Sequence, residues 1–181
     1  MTFSPKVLLT GPPGIGKTTV IRRLLALTRV NAGGFYTEEI RQAGQRFGFS
    51  LNLLSGERYV LASIAIGGRW RVSKYGVDVP AFEAAAIPAI EQAIADSRLV
   101  VIDEIGKMEL FSESFRQVVR RALDSSTPVL GTILSRSHLF ADEIRKRRDV
   151  TIIEVTWENR DRLPGELAKR FGPELVARDN P

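Results

Sequence analysis

No cysteine occurs anywhere in the 181 residues, and histidine occurs once, as His138. The first absence excludes disulfides and thiolate metal sites, and the second excludes a histidine-built zinc centre, so any metal must be held mainly by oxygen. Long apolar runs are missing too: none approaches the roughly 18 residues that a bilayer-spanning helix needs. The opening Met1-Thr-Phe-Ser-Pro-Lys6 leads straight into a strand-like run instead of the apolar core of a signal peptide, which gives the expectation of a cytoplasmic protein. Repeats and low-complexity segments are also lacking. What remains is 44% apolar and 26% charged residues with a mean hydropathy of -0.05, a profile expected to fold as one domain over residues 1–181. Basic residues outnumber acidic ones, 26 to 21, with the excess in the first half. Such a balance suits phosphate-bearing partners and equally suits a solvated surface.

Along the chain, an apolar run at Lys6 to Thr10 is followed by a Gly/Pro cluster, then by Ile21, Leu24, Leu25 and Thr28 at helical spacing between Thr18 and Val30. Phe35-Tyr36-Thr37, Phe47 to Leu53 and Arg58 to Ile64 read as strands, the last two forming a hairpin around Ser55-Gly56. Pro80 opens a helix to about Asp96 in which Pro88 predicts a kink or break. The apolar strand Leu99 to Ile102 follows. Phe115, Val118, Val119, Ala122 and Leu123 share one helical face capped by Ser112, Pro128 introduces the strand Val129 to Leu134, and Phe140 to Arg147 reads as a helix. A strand at Val150 to Val155 and a helix restarted at Pro164 and stopped by Gly172-Pro173 end the pattern. Alternating strands and helices predict an α/β fold with a mainly parallel sheet between helices, plus an antiparallel portion from residues 34–64.

Gly11-Pro12-Pro13-Gly14-Ile15-Gly16-Lys17-Thr18 satisfies GxxxxGK[ST] between a predicted strand and a predicted helix, the context a phosphate-binding P-loop requires. The loop from Gly11 to Thr19 would surround phosphates with its backbone N–H groups, which Pro12 and Pro13 lack, Lys17 would neutralise the β/γ oxygens, and the Thr18 hydroxyl would ligate Mg²⁺. Asp103 and Glu104 close the apolar strand as a Walker B segment does. Asp103 is expected at the metal, and Glu104 is placed to orient or deprotonate an attacking water. Leu54-Ser-Gly-Glu57 reads as a hairpin turn rather than a transporter signature. No Asn-Lys-x-Asp motif selects guanine, so broad base tolerance is expected. The basic segment Arg136, Arg145, Lys146, Arg147 and Arg148 offers an arginine finger, with Arg145 and Arg148 as the choices. Thr132 reads as a packing residue, with γ-phosphate sensing as its alternative, and His138 is given no role. Asn159 and Arg160 follow the last strand, where a parallel sheet binds ligands, and are candidates for nucleobase contact.

Together these residues resemble the small P-loop nucleoside-triphosphatase family that includes the cancer-related nucleoside-triphosphatase and its thermophile relatives. The likeness runs through Leu9 to Thr19, Gly34 to Arg41 and Asp103 to Phe111, with weaker matches at Lys74 to Asp78, Gly131 to Ile133, Glu143 to Arg145 and Glu158 to Arg160. It is least recognisable from Ser135 to Ala141. The resemblance implies a RecA-like P-loop fold and Mg²⁺-dependent hydrolysis of ATP, GTP and other nucleoside triphosphates to diphosphate and phosphate, and it places Lys107 near the site. The base tolerance expected above extends that range to ATP, GTP, CTP and UTP, and the protein is expected to be a monomer. Two other readings stay open. A P-loop kinase would use the same phosphate machinery with an acceptor pocket in the hairpins, and a nucleic-acid-stimulated ATPase would draw on the basic charge.

Overall fold

The computed structural model describes residues 4–172. The elements, in chain order, are β1 (Lys6–Thr10), α1 (Lys17–Thr28), β2 (Ala32–Gln42), β3 (Gln45–Leu53), β4 (Arg58–Ser63), β5 (Arg71–Val72), β6 (Tyr75–Val77), α2 (Val79–Asp96), β7 (Leu99–Ile105), a 3₁₀ turn (Glu109–Phe111), α3 (Glu113–Asp124), β8 (Val129–Ile133), α4 (Leu139–Arg145), β9 (Val150–Glu154) and α5 (Leu163–Phe171). All nine strands form one sheet in the order β5-β6-β4-β3-β2-β7-β8-β1-β9. Pairing is parallel from β2 through β9 and antiparallel from β2 outward to β5.

The central strands are continuous apolar runs because both faces of the sheet are covered. Val7, Leu9, Leu99, Val101 and Leu130 point into a core shared with α1 and α5, whereas Leu8, Val100, Ile102 and Val129 point into the core beneath α2, α3 and α4. Period-two alternation thus sorts neighbouring residues of one strand into two cores. Phe35, Phe82 and Phe115 anchor the larger one, with ring centroids 5.1 to 6.1 Å apart. Edge-on aromatic pairs of this kind add about 0.5–1.5 kcal/mol each beyond their buried area. The Ser112 hydroxyl caps α3 by accepting from the Phe115 N–H at 2.9 Å.

Three local expectations are corrected. Pro88 neither breaks nor ends α2, which runs unbroken from Val79 to Asp96. Pro88 and Ala84, whose carbonyl the proline leaves without a helical donor, are both exposed, so water replaces the lost bond. Strand β2 extends well beyond Phe35-Tyr36-Thr37 to Gln42, because its outer half pairs with β3 around Ala43-Gly44. The small β5–β6 hairpin was not anticipated; its two- and three-residue strands are too short to show a period, and Tyr75 secures it by packing edge-on against Phe49 at 5.2 Å. Among the described residues, no helix is long and apolar enough to cross a membrane.

Candidate active site

Strand β1 ends at Thr10, and the chain turns through residues 11–16 into α1. Gly11, Gly14 and Gly16 all take positive φ, at 141°, 80° and 111°. A Cβ on Gly11 would lie 2.9 Å from the Val155 carbonyl oxygen, so the loop passes the end of β9 with no room for a side chain. Ile15 is buried and pins the loop to the core beside α1. Helix α1 carries no side-chain cap and no acidic residue in its first turn. Its N-terminal amides and positive dipole end are therefore left for an anion. The Lys17 ammonium folds back over the loop and donates to the carbonyls of Gly11 at 2.9 Å and Pro12 at 3.3 Å.

Strand β8 lies between β1 and β7, which sets Thr132 beside the end of β7. The fully buried Thr132 hydroxyl donates to Asp103 Oδ1 at 2.6 Å, so its task is to hold that carboxylate. The other oxygen, Asp103 Oδ2, is buried without a hydrogen-bond partner. Burial pushes the Asp103 carboxyl up, while the hydroxyls of Thr132 and Thr18 and the Lys17 charge favour its ionised form. An orphaned buried carboxylate oxygen close to a threonine hydroxyl is a hard-oxygen donor set, and it fits magnesium. Among the described residues no three His, Cys, Asp or Glu side chains are grouped to hold a metal. An ion held by Thr18 and Asp103 would complete its shell with phosphate oxygens and water, as magnesium commonly does.

The Asp103–Glu104 peptide is cis. Glu104 lines a cavity of about 580 Å³ that opens over the P-loop. Burial raises its carboxyl above the ordinary range, the Asp103 charge raises it further, and Lys17 opposes both. Glu109, which the sequence reading passed over, lines the same cavity. Its carboxyl is pushed well up, first by burial and then by the Glu104 charge. The two acids meet above Gly106, where an added Cβ would fall 2.4 Å from Glu104 Oε1 and 2.8 Å from Glu109 Oε2. The sequence cue was a lone acid in an otherwise apolar Met-Glu-Leu-Phe stretch, and a single 3₁₀ turn has no periodicity to mark it as inward-facing.

The remaining lining comes from the antiparallel extension, with Thr37, Glu38 and Glu39 of β2, Arg46 and Phe49 of β3 and Leu61 of β4, joined by Lys107, Met108, Leu134 and Arg136. Lys107 is thus where the resemblance placed it. Arg145 is not a free finger: it donates to Asp142 at 2.6 Å and to the carbonyls of Leu134 and Arg136. Arg147 pairs with Asp149 and Asp124, and the exposed Arg148 is not among the cavity residues. Arg136 is the member of the basic segment that reaches the cavity.

Asn159 and Arg160 divide in role. Both ends of the Asn159 amide are spent on its own loop, Oδ1 accepting from the Thr156 N–H and Nδ2 donating to the Glu154 carbonyl, each at 2.8 Å. Asn159 thus shapes the turn from which Arg160 reaches the P-loop. Arg160 lies against the P-loop, donating to the Ile15 carbonyl at 3.5 Å.

Known proteins are similar to this chain in sequence and in fold. A family model described as NTPase matches residues 6–168. The chain is 44% identical over 162 residues to the nucleoside-triphosphatase THEP1 of Thermotoga sp. (strain RQ2), covering 90% of this chain and 92% of that one. It is 46% identical over 173 residues to the human cancer-related nucleoside-triphosphatase, covering 87% and 91%. The crystal structure of THEP1 from Aquifex aeolicus superposes with a TM-score of 0.82 at 39% identity, over 90% of this chain and 96% of that one. The solution structure of a human cancer-related nucleoside triphosphatase gives 0.80 at 42% identity, over 92% and 96%. With a family model matching residues 6–168 and relatives 44–46% identical over most of its length, the chain belongs to the NTPase family.

Proposed function

We propose that the protein hydrolyses ATP, GTP, CTP and UTP to the diphosphate and phosphate, with Mg²⁺ as cofactor. The observation that carries this reading is Glu104, a carboxylate of raised proton affinity set in the cavity beside Lys17 and next to the orphaned Asp103 oxygen. The P-loop amides and Lys17 bind and orient the β- and γ-phosphates. Thr18 and Asp103 hold the ion, which supplies charge neutralisation when bound. Glu104 accepts the proton of an incoming water, and its raised affinity brings it nearer to neutral pH, where a general base works best. Arg136 and Lys107 line the same cavity, and their charges would offset negative charge that develops on the phosphates during transfer to water. Tolerance of all four bases follows from a site whose selective contacts are to phosphate. The protein is proposed to act as a cytoplasmic monomer.

A second reading has one observation behind it. The cavity is also lined by the apolar side chains of Phe49, Leu61, Val72, Met108 and Leu134, against which a small phosphoacceptor would pack, as in a P-loop kinase. Phosphate release from each of the four triphosphates with Mg²⁺, with and without nucleoside and nucleotide acceptors, separates the two. Free phosphate in proportion to diphosphate supports hydrolysis, and a phosphorylated acceptor supports transfer. No turnover of any triphosphate, or full turnover in excess EDTA, refutes the Mg²⁺-dependent assignment.

A further inference from the structure

The sheet order fixes which way a bound nucleotide runs. Strand β1, which feeds the P-loop, has β8 and then β7 on one side and β9 on the other. Glu104, Lys107 and Arg136 all belong to the β7–β8 side, so the terminal phosphate lies there and the nucleoside must leave the loop toward β9. At that end Glu154 pairs with Thr10, and the Val155 N–H donates to the Thr10 carbonyl at 2.8 Å. The loop after β9 therefore begins alongside the loop that holds the phosphates.

That loop presents Trp157, which is 66% exposed although it is one of only two tryptophans in the chain. One face of its indole carries the Arg160 guanidinium, 4.1 Å from the ring centroid. Arg160 also touches the P-loop, its Cδ 3.8 Å from where a Gly16 Cβ would stand and its Nη1 donating to the Ile15 carbonyl. Asn159 fixes the turn between them through its bonds to Thr156 and Glu154. An exposed indole held at the rim of the phosphate loop by a built turn, and in contact with a planar cation, is a surface that planar rings bind by stacking.

We infer that Trp157 and Arg160 form the platform for the nucleobase, which stacks on the indole and guanidinium surface and makes no selective edge contacts there. The inference rests on the nucleoside-triphosphate reading of the site and extends it to a residue outside the phosphate machinery. Stacking also accounts for base tolerance, because every base offers a π face, and it predicts a purine preference through ring size.

The test uses W157A and W157F in the full chain, with binding measured by calorimetry for ADP, CDP and inorganic triphosphate. W157A weakens ADP by about ten-fold or more, W157F restores it to within about three-fold, the ADP-to-CDP preference shrinks in W157A, and triphosphate binding is unchanged in both. W70F leaves Trp157 as the sole indole, whose fluorescence changes with ADP and not with triphosphate. Unaltered ADP affinity in W157A overturns the platform. So does an equal loss of ADP and triphosphate, which would make Trp157 a support for the P-loop. A wild-type chain that binds triphosphate but gains nothing from adenosine overturns the platform alone, and one that binds neither ligand overturns the nucleotide site with it.

Discussion

Gly106→Ala tests the placement of the base without touching any charged group. The new methyl would stand 2.4 Å from Glu104 Oε1 and 2.7 Å from its Cγ, and 2.8 Å from Glu109 Oε2, whereas ordinary contact begins at 3.4 Å. Glu104 must therefore retreat by about 1 Å. The atoms in conflict belong to side chains and not to backbone, so the fold yields by moving carboxylates and the P-loop is left alone. A misplacement of about 1 Å at a reacting group costs on the order of 10²-fold in rate, equivalent to about 2.7 kcal/mol of barrier. The expected variant binds ADP and ATP with wild-type affinity by calorimetry, melts within a few degrees of wild type, and releases phosphate about a hundred-fold more slowly. Wild-type turnover in this variant would refute the assignment of Glu104 as the positioned base. Loss of nucleotide binding would show that the carboxylate pair supports the loop rather than the water.

Three further outcomes follow from the same geometry. Glu104→Gln keeps size and hydrogen bonding but cannot accept a proton, so nucleotide affinity should persist while hydrolysis falls by roughly two to four orders of magnitude; single-turnover and binding measurements check the two halves. Lys17→Ala removes the cation at the phosphates together with its bonds to Gly11 and Pro12, and both triphosphate affinity and turnover should be lost; ATP binding at the wild-type level would count against the P-loop site. Glu109 binds its proton more tightly folded than unfolded, so the stability tied to it is complete below the ordinary glutamate value of about 4.3 and declines as pH rises toward the raised one. Glu109→Gln should accordingly raise Tm at pH 8 and lose that advantage near pH 4, and a gain independent of pH would contradict a titrating Glu109.

The two halves of the site differed in how far the sequence disclosed them. The P-loop and Asp103-Glu104 were legible because each joins an apolar strand to a dense local motif, and the chemistry is written within a few consecutive residues. The parallel sheet was legible for a related reason, since runs such as Leu99 to Ile102 are apolar throughout only when both faces are covered. Contacts across the sheet were hidden. Thr132 reads as packing because only the sheet order brings β8 next to Asp103. While the Asp142–Arg145 pair is an ordinary i,i+3 helix contact, the carbonyls of Leu134 and Arg136 that also take the guanidinium lie in a loop the helix pattern does not reach. The break allowed for at Pro88 does not occur, because the cost of a helical proline depends on whether water can reach the freed carbonyl, a property of the packed helix and not of the residue. Trp157 carries no such local signal either, since its link to the P-loop runs through Arg160, which stacks on the indole and reaches Gly16 and Ile15 only because β9 pairs with β1.

One ladder of hydrogen bonds joins the strands that line the cavity or feed its loops, from the hairpin carrying Phe49, across β7, to the strand that feeds the phosphate loop. The walls consequently cannot swing as separate bodies, because any hinge between them would shear inter-strand bonds. Adjustment falls to the loops, chiefly the segments after β7 and after β8, and Arg145 already fastens the second of these at residues 134 and 136. Ordering of the site is therefore largely met when the chain folds instead of when the ligand arrives. Nucleotide binding should show only a small heat-capacity change, and amide exchange along β2 and β7 should be equally slow in the empty and loaded states, with turnover governed by the fixed placement of groups rather than by the closing of a lid.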